Sequence, residues 1–343
     1  MRRDSATSGN GPARDGPRLR VAVIGRSRRW DVERWIHRAL VRAGHVATLV
    51  DDRRAFHLLG RRAAGAWVRA RVKAFRPDRL IIAKAIGVPV DVLRDLCAAV
   101  PSVMWYRDLR VPPDPAILER AACVDTTFLT AGGQAPLFEA AGARRALFLP
   151  DGVDPDVDRP GARLPAYACD VAFIGSAGDE RRVAFLRRIA RRFRVRTWGR
   201  GWESIAREVG WMGGPAYGDD IGRICASARI VLGLDRGFQA REQVWGYTSN
   251  RLWRVIAAGG FYLGPSAPGL REFVRDGEHC ALYDNEEHAL ALIERYIEDD
   301  AERDRIRAAG RAFVLAHHTM DHRIHNLLTG LPFRNPLAEE PAA

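Results

Sequence analysis

The run Thr248-Ser249-Asn250-Arg251 puts three short polar side chains directly before an arginine. Side-chain oxygens of Ser, Thr and Asn accept hydrogen bonds from the unpaired N–H groups of a first helical turn, so a helix is predicted to start here. Leu252, Val255 and Ile256 continue at helical spacing until Gly259-Gly260 ends the pattern. Phe261-Tyr262-Leu263 reads as a short buried strand, residues 265–269 (PSAPG) break it, and residues 270–274 (LREFV) predict a second short helix. Two helix starts, near Asn250 and Gly269, on one edge of a parallel sheet would aim free N–H groups and positive dipole ends at one place. Such a place suits a phosphate.

Residues of this kind need a sheet to hold them. Residues 19–25, 46–50, 79–83, 102–106, 127–129 and 146–149 read as strands, with helical patterns over 30–43, 56–75, 90–99 and 134–140 between them. Alternation at this spacing predicts a doubly wound parallel sheet. The richest turn cluster, residues 150–165, marks a domain boundary. Beyond it, strands 170–175, 194–198, 229–234 and 280–283 and helices 219–227, 286–298, 300–318 and 321–328 predict a second such domain. The expected layout is therefore a lead-in over 1–17, domains over 18–155 and 166–330, and a tail over 331–343.

Open parallel sheets bind ligands beyond the carboxyl ends of their strands. That rule selects Gly25-Arg26-Ser27, Asp108, Gly175-Ser176, Gly199-Arg200-Gly201 and the two helix starts. At Gly175-Ser176 two readings stand: close approach of a ligand to the backbone, or an ordinary turn. Asp108, in Trp105-Tyr106-Arg107-Asp108, either takes a proton from a substrate hydroxyl or pairs with Arg107 or Arg110 and does no chemistry. Thr130-Ala131-Gly132-Gly133-Gln134 lines the same edge or is simply a turn before a helix.

Asn250-Arg251-Leu252-Trp253, Ala258-Gly259-Gly260-Phe261 and Pro268-Gly269-Leu270 together resemble the C-terminal, donor-binding half of GT-B glycosyltransferases, nearest to the CgeB-like group of bacteria and phages. The likeness extends through Tyr283-Asp284 and the helical run ending at Arg311 to His318-Thr319 and His322-Arg323, roughly the last hundred residues. The resemblance implies two Rossmann-like domains facing a cleft and the transfer of a sugar from a nucleotide sugar to an acceptor hydroxyl, on a small molecule, a glycan, a protein or a modified DNA base. Together with the strand-end rule it gives the expected donor contacts Gly175, Ser176, Arg200, Gly201, Thr248, Ser249, Asn250, Arg251, Pro268, Gly269 and Leu270. On the acceptor side the two together point to Gly25, Arg26, Ser27, Arg107 and Gln134, with Asp108 as the catalytic carboxylate. No cofactor beyond the nucleoside-diphosphate sugar and no metal is expected, because Arg251 and Arg200 can neutralise a departing diphosphate. In one respect the sequence departs from the pattern. Many relatives carry a glutamate four residues before the Ala-Gly pair, where it holds the donor ribose; here Arg254 stands there. The contrasting expectation is thus a degenerate GT-B module that binds a nucleotide or nucleic acid without transfer.

The 343 residues suffice for two domains, and none of the apolar runs approaches the roughly 20 residues needed to cross a bilayer. The start, MRRDSATSGNGPARDG, lacks the apolar stretch of a signal peptide and reads as disordered. Five scattered cysteines, none in a C-x-x-C pair, read as buried thiols, and the expected compartment is the cytoplasm. The net charge of +12 comes almost wholly from arginine, since Lys73 and Lys84 are the lysines of the chain. Two readings are open: solvated faces, as over residues 181–196, where apolar positions share one side, or a polyanionic acceptor such as modified DNA. His318, His322 and His325 share a helical face, which reads as structural rather than metal-binding.

Overall fold

The computed structural model describes residues 17–234, 244–247 and 249–338. The first domain carries β1 (Arg20–Gly25), α1 (Val32–Arg42), β2 (Val46–Asp51), α2 (Asp52–Phe75), β3 (Arg79–Ile82), α3 (Val90–Ala99), β4 (Ser102–Tyr106), α4 (Pro115–Ala121), β5 (Thr126–Leu129), α5 (Ala135–Ala140) and β6 (Ala146–Phe148). Its six strands are parallel in the order β2-β1-β3-β4-β5-β6. Both faces are covered, so the strands are near-continuous apolar runs. Ala22, Ile24, Leu80, Ile82 and Met104 face α2, α3 and α4, while Val21, Val23, Ile81, Val103 and Trp105 face α1.

The second domain carries β7 (Cys169–Ile174), α6 (Glu180–Ala190), β8 (Val195–Trp198), α7 (Asp219–Ser227), β9 (Ala228–Leu232), α8 (Asn250–Ala257), β10 (Tyr262–Pro265), β11 (Ala281–Tyr283), α9 (Glu286–Glu298), α10 (Asp300–His317) and α11 (Met320–Thr329). Its five strands are also parallel, in the order β11-β10-β9-β7-β8, with apolar cores on both faces. The expected pair of Rossmann-like, doubly wound α/β domains is what the chain forms. α11 crosses back: its Met320, Ile324 and Leu327 pack with Trp35, Leu40 and Trp105 into the core of the first domain.

Four aspartates of the connecting segment lock the two halves. Asp151 receives Arg107 Nε at 2.7 Å, Asp154 receives Arg38 Nε at 2.7 Å and Arg42 Nη1 at 3.3 Å, Asp156 receives Arg42, and Asp158 receives Arg254 Nε at 2.8 Å. From α11, the buried Arg323 donates to the carbonyls of Pro150 and Asp151.

Two local expectations are corrected. Residues 270–274 are no helix: only a three-residue 3-10 turn, Leu270–Glu272, forms there. Helix α6 stops at Ala190, so the basic run to residue 196 continues through a turn into β8. Helix α4 was not foreseen; Asp114 caps it and Pro115 opens it.

Candidate active site

The carboxyl ends of both sheets face a cleft of about 800 Å³. Its second-domain wall is built around α8. Ser249 caps the helix, its side chain accepting from Arg251 N, and Asn250 opens the first turn at the cleft. Arg251 bends back over the sheet: Nε donates to the Ile174 carbonyl at 2.7 Å, Nη1 to the Leu234 carbonyl at 3.1 Å, and the guanidinium lies 4.9 Å from the Phe173 ring centre. A cation is thereby fixed beside a helix N-terminus, both favourable to an anion. Gly175 is required by this placement, because a Cβ there would stand 2.8 Å from Arg251 Nη2. Gly199, at φ +149°, lets the β8 loop close on the β7 loop, where a Cβ would meet the Gly175 carbonyl oxygen at 2.1 Å. Arg200 and Ser176 reach the cleft from these two loops.

On the first-domain wall, Arg26, Arg107 and Asp108 line the cleft. Arg26 pairs with Asp31 at 3.0 Å and Arg107 with buried Asp151, while Asp108, half exposed, is ion-paired with Lys84. Lys84 and Ala85 have left-handed backbones, φ +66° and +48°, and turn the chain so that Lys84 enters the cleft. Such strain persists only where surroundings enforce it. Arg120, buried, donates to the carbonyls of Ala85, Ile86 and Val88, and Asp52 accepts from Gly87 N at 2.7 Å.

The cleft also holds Glu33, which the sequence reading missed, and Arg254, whose partners it did not show. Glu33, in the first turn of α1, is buried against Gly25 and Ala83; a Cβ on Gly25 would stand 2.9 Å from Glu33 Oε1. Burial raises the Glu33 carboxyl above the usual range, opposed by its own backbone N–H and by Arg107. The signal was an acidic residue in the first turn after a strand-ending glycine. Arg254, the other, pairs with fully buried Asp158 and stacks 4.9 Å from the Trp35 ring, so the arginine at the glutamate position joins both domains and the segment between them.

Several expected site residues lie elsewhere. Ser27 Oγ donates to Asp51 Oδ2 at 2.7 Å and ties β1 to β2, while Gln134 is buried and donates to the Arg110 carbonyl. Gly25 lies beneath Glu33, and Gly201 sits beside Ala177 behind the cleft. Pro268, Gly269 and Leu270 are not among the residues that line the cleft; the Trp245 indole lies against Gly269, 2.4 Å from the place of a Cβ, and its Nε1 donates to Glu272 at 2.9 Å. Leu270 is in the core. Thr248 lies outside the described residues. Of the histidines, His318 is buried and stacks 4.1 Å from Trp253, and His322 completes a capping box with Thr319.

A family model described as glycosyl transferase-like matches residues 181–329. None of the curated proteins matches the chain. Among solved structures, HepE of Anabaena, in complex with UDP and glucose, is 14% identical, covers 91% of this chain and 100% of its own, and has a TM-score of 0.63. Sucrose-phosphate synthase of Thermosynechococcus elongatus is 13% identical over 91% of this chain and 99% of its own, at a TM-score of 0.66. A glycosyltransferase of Rickettsia africae is 9% identical over 91% and 97%, at 0.63. This is the GT-B fold. At these identities the likeness fixes architecture and leaves the chemistry to the GT-B cleft. There, seven cationic side chains stand against three carboxylates. Among the described residues no helix is long and apolar enough to cross a membrane, and no cluster of His, Cys, Asp or Glu is placed to hold a metal ion.

Proposed function

We propose that the chain is a glycosyltransferase that takes its sugar from a nucleoside-diphosphate donor, with UDP sugars as the first class to try because HepE was solved with UDP-glucose. The observation that carries this reading is Arg251, pinned on two strand-end carbonyls at the start of α8, with Arg200 on the neighbouring loop. The donor diphosphate would lie against the N-terminus of α8, between these two cations. The acceptor hydroxyl would enter from the first domain.

In the transfer, the acceptor oxygen forms a bond to the anomeric carbon while the bond from that carbon to the diphosphate oxygen breaks, its electron pair leaving with the nucleoside diphosphate. The acceptor proton passes to Glu33, whose carboxyl lines the cleft and is raised above the usual range by burial. Asp108, held by Lys84, orients the acceptor hydroxyl. Arg254 pairs with Asp158 and stacks on Trp35, which supports a structural role for this arginine at the place where relatives carry the glutamate.

Turnover of UDP-sugars with release of UDP, followed with wild-type protein, Glu33→Gln and Asp108→Asn, tests the assignment. Glu33→Gln is expected to lower turnover by about 10²-fold or more with donor binding intact. Equal turnover in Glu33→Gln and wild type would remove Glu33 from the mechanism.

A further inference from the structure

Helix α2 presents a surface that the cleft does not use. Its 24 residues carry seven basic side chains, Arg53, Arg54, Arg61, Arg62, Arg69, Arg71 and Lys73, against one acidic residue, Asp52, which is buried. Gly60, at φ +76° and ψ +169°, breaks the helix, and residues 57–63 are all exposed, Leu58 at 70% and Leu59 at 49%. After the break, Ala64, Val68 and Val72 pack inward, while Ala63, Ala66, Trp67, Ala70 and Ala74 form an exposed stripe at helical spacing. The helix is therefore apolar on two sides, with arginines between them. Solvation explains the arginines but not Leu58, Leu59 and Trp67, which lose free energy in water.

We propose that this face of α2 lies on an anionic lipid surface, with Leu58, Leu59 and Trp67 entering the headgroup boundary and the flanking arginines on lipid phosphates. Positive charge beside an apolar stripe is the pattern that binds a helix in the plane of an interface. Long arginine side chains reach the headgroups while their stems stay beside the apolar stripe. A second copy of this chain would set arginine against arginine. A nucleic acid would match the charge but give the two leucines no hydrocarbon to enter. The surface is separate from the cleft, so the proposal does not depend on sugar transfer.

Co-sedimentation of the full chain, without nucleotide, with vesicles of phosphatidylcholine alone and of phosphatidylcholine mixed with phosphatidylglycerol is the test. Binding is expected to the mixed vesicles and not to the neutral ones. Arg61→Glu with Arg62→Glu should lower the bound fraction at least about tenfold. Leu58→Ser with Leu59→Ser, at exposed positions whose change leaves the melting temperature in place, should lower it comparably and leave what remains fully sensitive to salt. Failure to bind the mixed vesicles, or binding unchanged in the leucine variant, would overturn the proposal. Binding to duplex DNA without binding to vesicles would also overturn it and assign the face to nucleic acid.

Discussion

At the scale of single residues, the site depends on space made by glycine and on charge held in place. Gly175 shows the first. A methyl group there would displace Arg251 Nη2, which lies 2.8 Å from the place of a Cβ. Gly175→Ala is therefore expected to weaken nucleoside-diphosphate binding about tenfold or more, the loss of one charge-assisted contact. Thermal melting without ligand should fall as well, since the same Cβ would stand 2.9 Å from the ring of buried Phe173. Equal affinity in calorimetric titrations of the variant and wild type would separate Arg251 from the ligand. Asp52 shows the second. Burial raises its carboxyl to about 6 from 3.8, so the folded protein holds this proton more tightly than the unfolded chain. The stability from that proton is complete below pH 3.8 and is lost as pH rises through about 6. Asp52→Asn keeps an acceptor for Gly87 N and removes the buried charge, so it should gain up to about 3 kcal/mol over wild type near pH 8 and far less near pH 4. A gain independent of pH in denaturant melts would contradict this account.

At the scale of elements, the sequence made the strands and most helices legible because both sheets are covered on two sides and their strands are dense in Val, Ile and Leu. The start of α8 was legible for the same local reason, a Ser cap before an amphipathic run. The second expected helix start, near Gly269, does not form. Gly269 there packs under Trp245, whose indole also meets Phe148 and Phe273 across long sequence separations. Lys84 was hidden as well, since its direction into the cleft comes from two left-handed residues enforced by Arg120 and Asp52. Arg254 was visible only as a departure from a pattern, and its meaning lay in Asp158, 96 residues earlier. Arg254→Glu alone would set two buried carboxylates together and is expected to cost about 3–5 kcal/mol, the scale for an unpaired buried charge. Combining it with Asp158→Arg restores opposite charges and should recover a measurable part in the same denaturation assay. No recovery would mean that the Trp35 stack, not the ion pair, is what this arginine supplies.

At the scale of the whole molecule, the two sheets face each other because the connecting segment is held from both sides. Asp151, Asp154, Asp156 and Asp158 take arginines from the β4 end, α1 and α8, and α11 returns from the second domain into the core of the first. Trp30 reaches across to Gly218, where a Cβ would come within 2.2 Å of the indole, and Trp245 reaches back to Gly132. In the proposed transfer, walls held in this way would limit the access of water to the donor. The net positive lining of the cleft would attract its diphosphate. The central claim is that Arg251 and the start of α8 receive that diphosphate. Calorimetric titration of UDP and UDP-glucose into wild-type protein and Arg251→Ala tests it most directly. The account predicts saturable binding to the wild type and an affinity lower by about 10- to 100-fold in the variant. Binding of equal strength in the two proteins, or no binding of either nucleotide to the wild type, would contradict it.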